Sequence, residues 1–329
     1  MVRLIRYHVA RFYLLTLHDL GTPPAEFRGL AREQISKYDT ASFKNTTVTS
    51  IVPEGNDTFS SFAVTDSTGK KYTARKIVLG TGLKDVLPQT PGLREAWGKG
   101  VFWCPWCDGY EHRDQPLGII GNIADALGSV LETNTQFSDI VAFVNGTQTP
   151  KGEAAATAQH EGWEEQLKAW NVKIENRTIS SIQRVQDGGK NRTTTQQFDK
   201  FRVHFTQGEP VTRGAFIANF PSVQFSDLPA KMHLNVSDNK IVVSESQRTN
   251  ITGVWAIGDS NSDGSTNVPH AMFSGKRAAV YLHVELSRED TKSKLSKRND
   301  QLSHRELEQE AEDAIGNDLE EQWQKAQRK

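Results

Sequence analysis

Residues 252–259 read Thr-Gly-Val-Trp-Ala-Ile-Gly-Asp, and this stretch gives the first indication of the fold. The apolar run Gly253–Ile257 predicts a buried β-strand that ends in Gly258 and Asp259. After a buried parallel strand, a glycine lets the backbone approach a ligand closely, and an aspartate can bind a sugar or sugar-alcohol hydroxyl. A Gly-Asp pair alone is more often a turn than a site, so its weight comes from the residues around it.

Two further stretches fit the same kind of site. Downstream, Val268-Pro269-His270-Ala271 leads into a small-residue helix predicted over Ala271–Leu286. A helix N-terminus aimed at a ligand favours anionic or electron-rich groups. Upstream, the predicted strand Lys76–Leu79 runs into Gly80-Thr81-Gly82, where the glycines let the main chain lie against a flat ligand.

The rest of the chain alternates short strands with helices, which is typical of an α/β fold. Residues 66–69, Asp-Ser-Thr-Gly, predict a hairpin turn between strands Phe62–Thr65 and Lys76–Leu79. The other predicted strands are Leu117–Ile120, Ile140–Val144, Phe201–Phe205, Ala215–Phe220 and Lys240–Val243, and the other predicted helices are Pro23–Tyr38 with Thr22 as its N-cap, Ala124–Thr133 and Glu161–Ala169. From Ser287 the composition becomes highly charged, which predicts a solvated helix or an appendage that docks on a partner.

Composition excludes several classes of protein. A chain of 329 residues predicts about two domains. Lys plus Arg total 39 against 40 Asp plus Glu, so no basic surface for nucleic acid is expected. No apolar run approaches the roughly 20 residues that span a bilayer, which predicts a soluble protein without a membrane partner. Residues 1–17 carry three arginines and no acid, which is weakly typical of a mitochondrial leader, but we expect a cytoplasmic protein.

The two cysteines of the chain stand together as Cys104-Pro105-Trp106-Cys107. This spacing allows a small, strained and therefore reducible disulfide ring, which predicts redox chemistry. Zinc needs four nitrogen or sulfur ligands, and His112 is the nearest additional one, so no metal site is predicted. Two ordinary buried cysteines are the remaining alternative. Asp108, next to the pair, can move the protons of thiol–disulfide exchange, or it can be a turn residue beside Gly109.

In this order and spacing, the motifs resemble the low-molecular-weight thioredoxin reductase family. Residues 104–115, Cys-Pro-Trp-Cys-Asp-Gly-Tyr-Glu-His-Arg-Asp-Gln, are most similar to fungal thioredoxin reductase-like flavoproteins. Relatives of these include the dithiol oxidases of gliotoxin-type epidithiodiketopiperazine biosynthesis. The resemblance covers about residues 18–286, and it rests on the set of motifs, since each motif alone is weak.

The resemblance implies an α/β fold with two Rossmann-like three-layer domains of the disulfide oxidoreductase type. An FAD-binding-type domain is expected over residues 1–98 and 248–290. An NAD(P)-binding-type domain that carries the cysteines is expected as an insertion at 99–247, and a charged helical tail at 291–329. A homodimer is expected as well.

The resemblance also implies roles for individual residues. Cys107 would be the cysteine nearer to the flavin, Cys104 the one that exchanges with substrate, and Asp108 the acid/base. The residues expected to contact FAD are Gly80, Thr81, Gly82, Gly258, Asp259, Val268, Pro269, His270 and Ala271, with Asp259 at the ribityl or pyrophosphate region. The residues expected to contact NADPH are Gly121, Asn122 and Ala126.

Two departures from the family pattern concern the cofactors. Residues 1–17 contain no glycine, so the Gly-x-Gly-x-x-Gly loop that seats the FAD pyrophosphate is not found there. This predicts weaker FAD binding and either a lost first exon or a degenerate paralogue. In the second loop, Ile123 replaces the middle glycine, and its side chain is expected to crowd a pyrophosphate. Residues 143–146 supply neither an acid for a ribose nor an arginine pair for a 2′-phosphate, so NADPH is a doubtful cofactor.

The resemblance therefore predicts an FAD-dependent oxidoreductase in which Cys104 and Cys107 exchange electrons with a thioredoxin or with a small thiol or disulfide. The degraded NADPH features favour one alternative, an oxygen-dependent dithiol oxidase of secondary metabolism. A second alternative is a flavin-free relative that keeps the fold without catalysis. The intact Cys-x-x-Cys-Asp sequence argues against that last possibility.

Overall fold

The structure is a computed structural model that describes residues 24–55, 61–315 and 325. The chain divides into two compact units, one within Met1–Leu83 and Gln224–Lys329 and the other formed by Lys84–Val223. The expected helix cap Thr22 and the residue Pro23 lie outside the described residues. No helix in the described ranges is both long enough and apolar enough to cross a membrane.

The units divide at other positions than the expected 98/99 and 247/248. Leu93 packs in a core with Phe201, and Leu228 packs in a different core with Ile77. Residues 84–98 therefore belong to the second unit and residues 224–247 to the first. Burial of apolar side chains, which decides the membership of each segment, is not visible in the motif spacing.

The first unit contains an antiparallel sheet, a parallel strand pair and a long helix. Its elements are α1 (Pro24–Ser36), β1 (Val48–Pro53), β2 (Phe62–Asp66), β3 (Lys71–Ala74), β4 (Ile77–Leu79), α7 (Leu228–Lys231), β15 (Val236–Ser237), β16 (Lys240–Ile241), β17 (Val254–Ala256) and α8 (Val268–Ile315). Strands β1, β2 and β3 form one antiparallel sheet, and β4 pairs with β17 in parallel.

The predicted hairpin has a different second strand. The turn after Asp66 joins β2 to β3, whereas we predicted that it joins Phe62–Thr65 to Lys76–Leu79. The Asp66 carboxylate accepts hydrogen bonds from the backbone N–H groups of Thr68 and Lys70 and so closes the turn. Ile77 and Leu79 are buried in the core against β17, so β4 leaves the hairpin for a parallel partner.

Helix α8 extends well beyond the predicted Leu286. The side chain of Lys76 is almost fully buried, and its ammonium group pairs with Glu285 at 2.6 Å and with Glu289. Arg75 pairs with Glu289 and Asp290 at 2.8 Å each. These ion pairs join the charged segment of the helix to the residues just before β4.

The second unit is built on a five-stranded parallel sheet. Its strands are β6 (Val101–Phe102), β7 (Leu117–Ile120), β8 (Ile140–Phe143), β9 (Lys173–Glu175), β10 (Ile179–Gln186), β11 (Lys200–Phe205), β12 (Val211–Arg213) and β13 (Ala215–Ala218), and its helices are α2 (Leu93–Ala96), α3 (Pro105–Asp108), α4 (Ile123–Thr133), α5 (Pro150–Gln159) and α6 (Trp163–Ala169). The short strands β5 (Leu83–Asp85) and β14 (Ser222–Gln224) include the boundary residues of the two units. The parallel sheet has the order β6-β13-β7-β8-β9, and β10-β11-β12 form an antiparallel sheet. Strands β7, β8 and β13 are buried throughout, which explains their uniformly apolar sequences.

Candidate functional site

The two cysteines form a disulfide in the second unit, with their Cα atoms 5.3 Å apart. They belong to a single turn that begins just after β6. The backbone N–H groups of Cys107 and Asp108 both donate to the carbonyl of Cys104 at 3.2 Å. A Cβ atom on Gly109 would lie 2.3 Å from the carbonyl oxygen of Pro105, so this tight turn requires the glycine. The local sequence therefore brings the sulfurs together without help from distant residues.

The two cysteines differ in their exposure. Cys107 is exposed, and Cys104 is half-buried. The resemblance assigns substrate exchange to Cys104, so exposure and resemblance point to different cysteines. The assignment of the two roles therefore stays a prediction.

Asp108 has an unusual acidity for an aspartate. The pKa of Asp108 is raised to about 6, chiefly by burial of the carboxyl and also by the nearby Glu111, and His112 acts in the opposite direction. A carboxylic acid that titrates near neutrality can both give and take a proton at cellular pH. Asp108 is also the last residue of α3, so its place in the turn and an acid/base role are compatible.

Sequence reasoning missed a buried polar chain next to this turn. His112 Nδ1 lies 2.9 Å from the backbone oxygen of Asp108, and His112 Nε2 lies 3.3 Å from a carboxylate oxygen of Asp199. Asp199 also binds the guanidinium of Arg184 and the backbone N–H of Gly188. We considered His112 only as a metal ligand, and Asp199 lies 87 positions away in a segment with no motif.

Exposed aromatic side chains lie next to the cysteines in sequence. Trp106, between the cysteines, is 72% exposed, and Trp103 and Tyr110 are also exposed. Trp103 stacks on Trp97 with ring centroids 5.7 Å apart, and Arg113 lies 4.1 Å above the Tyr110 ring. This part of the second unit can contact an apolar or aromatic substrate surface.

The FAD-type motifs come together in the first unit. Strand β4 leads into Gly80 and β17 leads towards Gly258, and the two strands are hydrogen-bonded neighbours in parallel register. The N–H of Gly258 donates to the Ser274 hydroxyl of α8 at 2.9 Å. A Cβ atom on Gly258 would lie 3.4 Å from that of Ala271. The strand ends and the first turns of α8 therefore form one local cluster.

Two polar groups in this cluster have no internal hydrogen-bond partner. The Thr81 hydroxyl is buried and makes no hydrogen bond within the part of the chain that the structure describes. Next to it, Gly82 has φ of +72° and open space where a side chain would lie. His270 Nε2 lies 2.8 Å from Asp263 Oδ1, but the contact is not aligned for a hydrogen bond, and Nε2 has no other partner among the described residues. Because buried polar groups normally find partners, the cluster fits a flat, polar ligand such as a flavin.

The remaining FAD-type residues have simpler surroundings. Asp259 is half-buried in the 3₁₀ turn Gly258–Ser260. Val268 and Pro269 are exposed in the first turn of α8. All three lie in sequence next to Gly258 or Ala271, which form the cluster.

The expected NADPH loop, between β7 and α4 in the second unit, is arranged differently from our prediction. Ile123 is only 1% exposed and packs in the core, so it does not crowd the space above the loop. As the first residue of α4, it turns its side chain towards Gly152, where a Cβ atom would lie 2.9 Å from it. The prediction that this side chain blocks a pyrophosphate is wrong.

The N-terminus of α4 is instead occupied by side chains of the protein itself. The Ile123 N–H donates to the Thr147 hydroxyl at 2.9 Å, and the Asp125 N–H donates to the side-chain oxygen of Asn122 at 3.0 Å. The Asp125 carboxylate adds a negative charge in the first turn. Ala126 is buried in the core. Two of the backbone N–H groups that a pyrophosphate would use at this helix end therefore already have partners within the chain.

The pocket above this loop has a volume of about 230 Å³. Its described lining residues, none of them charged, are Pro88, Thr90, Leu93, Ile120, Gly121, Asn122, Asn145, Thr147, Ile179, Ile182, Asn219, Phe220 and Pro221. A dinucleotide phosphate carries several negative charges, and nothing in this lining neutralises them. The residues present do not fit NADPH.

Comparison with known proteins places the chain among disulfide oxidoreductases. Residues 12–275 match the family model described as pyridine nucleotide-disulphide oxidoreductase. A protein of Arthroderma benhamiae called a probable thioredoxin reductase is 50% identical over 318 residues, which cover 93% of this chain and 79% of that protein. The thioredoxin reductase tcpT of Claviceps purpurea is 28% identical over 80% of this chain and 78% of its own length.

The solved structures agree with this comparison. The crystal structure of HlmI has a TM-score of 0.72 and 27% sequence identity, and the match covers 86% of this chain and 82% of that one. The predicted α/β fold, with Rossmann-like domains of the disulfide oxidoreductase type, is confirmed by these matches together with the parallel sheet.

Proposed function

Because the chain belongs to the pyridine nucleotide-disulphide oxidoreductase family and is a thioredoxin reductase-like oxidoreductase, we propose that its chemistry is thiol–disulfide exchange at Cys104 and Cys107. The observation that carries the proposal is the Cys104–Cys107 disulfide beside a carboxyl, Asp108, whose pKa is about 6. A reducible pair and a proton carrier at one place are what such exchange requires.

The exchange takes place in two substitutions at sulfur. A substrate thiolate attacks Cys104 Sγ, the Cys104–Cys107 bond breaks, and Cys107 departs with the electron pair. The second substrate thiol then attacks the substrate sulfur bound to Cys104, so that a substrate disulfide and two cysteine thiols remain. Two electrons and two protons pass from substrate to protein, and Asp108 gives a proton to the departing sulfur. Reduction of a substrate disulfide is the same sequence in reverse.

Membership of the family implies FAD binding, and the residues of the first unit fit it. The backbone at Gly82 and Gly258, the Thr81 hydroxyl and the His270 ring would hold the cofactor, with Asp259 on its ribityl or pyrophosphate part. When bound, FAD supplies the electron-pair acceptor or donor that returns the cysteine pair to its starting state.

A second candidate is the oxidase direction, in which a dithiol is oxidised at the expense of oxygen. The net reaction converts a dithiol and O₂ into a disulfide and hydrogen peroxide, so atoms and electrons balance without NADPH. The occupied N-terminus of α4 favours this candidate, because it removes the usual seat of the nicotinamide nucleotide. Oxygen uptake with a dithiol and no NADPH consumption supports the oxidase, and NADPH consumption with a thioredoxin contradicts it.

The substrate is either a thioredoxin-like protein or a small dithiol. The relatives named thioredoxin reductases favour the protein substrate, and the exposed aromatic side chains around the disulfide suit either one. By family resemblance we also propose a homodimer, which sedimentation of the purified chain tests.

Paired cysteine variants test the proposal. In Cys107→Ser, Cys104 keeps a free thiol that has lost its resolving partner. Given a disulfide substrate, Cys104 attacks one substrate sulfur and the other departs as a thiol, so we expect a stable mixed disulfide and loss of turnover by at least about a thousandfold. Cys104→Ser should lose turnover equally but form no such adduct. Mass spectrometry of the intact protein detects the adduct. Undiminished turnover in either variant contradicts the proposed function, and an adduct in Cys104→Ser alone reverses the two roles.

A flavin measurement on the full chain completes the test. We expect FAD released by heat to approach one per chain, before or after incubation with excess FAD. A chain that takes up no FAD under both conditions contradicts a flavin-dependent reaction.

A further inference from the structure

The polar chain next to the disulfide turn, formed by His112, Asp199 and Arg184, has two almost completely buried members. His112 is 1% exposed and Asp199 is 5% exposed. Asp199 receives Arg184 Nε at 2.7 Å and the N–H of Gly188 at 2.9 Å. A Cβ atom on Gly188 would lie 2.2 Å from a carboxylate oxygen of Asp199, so the glycine leaves room for this carboxylate. These contacts fix the position of the buried Asp199 carboxylate.

The charge of Asp199 is fixed by its surroundings. Burial opposes ionisation, but His112, the Gly188 N–H and Arg184 together hold the pKa of Asp199 below its ordinary value. Asp199 is therefore a carboxylate, which can only accept hydrogen bonds. This places an acceptor at His112 Nε2.

The other nitrogen of the same ring also faces an acceptor. His112 Nδ1 lies 2.9 Å from the backbone oxygen of Asp108, which has no proton to give. A neutral imidazole has one N–H, so it would leave one lone pair against an acceptor. The ring satisfies both contacts only as an imidazolium that donates from each nitrogen. The Phe102 ring, with its centroid 5.1 Å away, covers this cation.

We propose that His112 is a positioning residue of the disulfide turn. Anchored on Asp199, it holds the backbone of Asp108 in place and lends a positive charge that controls when the Asp108 carboxyl is protonated. This inference rests on the proposed function, because it concerns the proton that Asp108 gives to the departing sulfur. His112 acts on the chemistry at sulfur only through Asp108.

The protonation of Asp108 depends on the charged groups around Asp108 and His112. Asp108 faces Glu111, which favours its protonated form, and His112, which favours its ionised form. His112 faces Asp199, whose charge is in turn balanced by Arg184, and Arg184 also pairs with Asp187. Loss of the positive charge at His112 leaves Glu111 unopposed, so protonated Asp108 should persist to higher pH.

The test is the pH dependence of disulfide reduction in the full chain. Dithiothreitol reduces Cys104–Cys107, iodoacetamide stops the reaction, and mass spectrometry counts the alkylated cysteines. The rate per dithiothreitol thiolate should fall as Asp108 loses its proton, with a midpoint near pH 6. In His112→Asn, which keeps a neutral donor near the Asp108 carbonyl, we expect the midpoint to rise by about one pH unit.

His204→Asn is the matched control, since it changes a half-buried histidine of the same unit outside the polar chain. Its midpoint should equal that of the unaltered protein. An unchanged midpoint in His112→Asn, even with a lower rate, overturns the inference and assigns His112 a structural role only. The cysteine variants report on the proposed function separately, because this assay needs neither flavin nor the natural substrate.

A second measurement needs no substitution. Nitrogen-15 NMR of the histidine rings in the unaltered chain should show one ring that is protonated on both nitrogens and protected from solvent exchange. If every protected ring carries a single proton, the inference is wrong. This spectrum decides the matter even if His112→Asn fails to fold.

Discussion

Two nucleotide-type loops, one in each unit, follow strands that pair in parallel, but the polar groups of the two loops differ in their hydrogen-bond partners. In the first unit, the Thr81 hydroxyl is buried without an internal partner and Gly82 leaves open space beside it. In the second unit, Asn122 and Thr147 accept hydrogen bonds from two N–H groups at the start of α4, those of Asp125 and Ile123. Buried polar groups without internal partners fit a loop that binds a ligand, whereas polar groups with internal partners leave fewer contacts for one.

The largest difference between the two loops is expected when a glycine in each is replaced by alanine. Gly258 has φ of +63° and lies close to Ala271, so Gly258→Ala introduces strain and a methyl group at the cofactor cluster. FAD affinity should fall about tenfold. Gly121→Ala is the matched change in the other loop, where the added methyl meets open space, and it should leave FAD affinity unaltered. Titration with FAD followed by flavin fluorescence measures both.

Equal losses of FAD affinity in the two glycine variants would contradict the proposal that only the first-unit loop binds FAD. Thermal unfolding of each variant identifies a loss of FAD that comes only from a loss of fold. The test requires that Gly258→Ala retain its unfolding transition.

A smaller difference is expected when the threonine of each loop, Thr81 or Thr147, is replaced by valine. Thr81→Val removes a hydroxyl that has no internal partner, so the free energy of unfolding should not fall, but FAD affinity should fall about fivefold, the value of about one hydrogen bond. Thr147→Val removes a hydroxyl that accepts from Ile123 N–H and donates to the Val144 carbonyl. It should cost about 1–2 kcal/mol of unfolding free energy and leave FAD affinity unaltered. Denaturant unfolding and FAD titration of both variants distinguish a loss of stability from a loss of FAD affinity. A Thr81→Val protein that is destabilised but binds FAD normally would contradict the assignment of the Thr81 hydroxyl to FAD binding.

The smallest effect is expected at the cap of α4. Asn122→Gly removes the side chain that caps Asp125 N–H, but glycine is itself tolerated at this position, so the free energy of unfolding should fall by only a few tenths of a kcal/mol. The variant frees one helix N–H, yet the carboxylate of Asp125 remains. We therefore expect no measurable NADPH binding by calorimetry, and binding in the micromolar range would show that the cap alone had closed the loop.

The disulfide turn teaches how much local sequence can settle. Cys104 and Cys107 lie in one turn whose hydrogen bonds join residues three to four positions apart, and Gly109 is required by a contact within the same turn. The prediction of a disulfide and a neighbouring acid followed from spacing alone. The acidity of Asp108 did not, because it depends on burial and on the charges at Glu111 and His112.

The secondary structure shows the same limit. Strands β7, β8 and β13 are apolar throughout and were predicted to within two residues, because burial on both faces selects such runs. Helix α5 escaped prediction, since Ala156 is its one buried residue and its sequence carries little pattern. Strand β10 escaped as well, because register shifts interrupt its alternation of buried and exposed residues.

The sequence by itself determined the α/β class, the family, the cysteine pair and the three motifs of the cofactor cluster, because each depends on residue types at short, fixed spacing. Only the tertiary structure decided that the Ile123 side chain packs in the core and that the Thr147 hydroxyl accepts a hydrogen bond from the Ile123 N–H. It also decided that Asp199 contacts His112, which lies 87 positions away in the sequence. These are contacts between segments that the chain brings together on folding. Their geometry follows from the packing of strands and helices, which residue spacing does not encode.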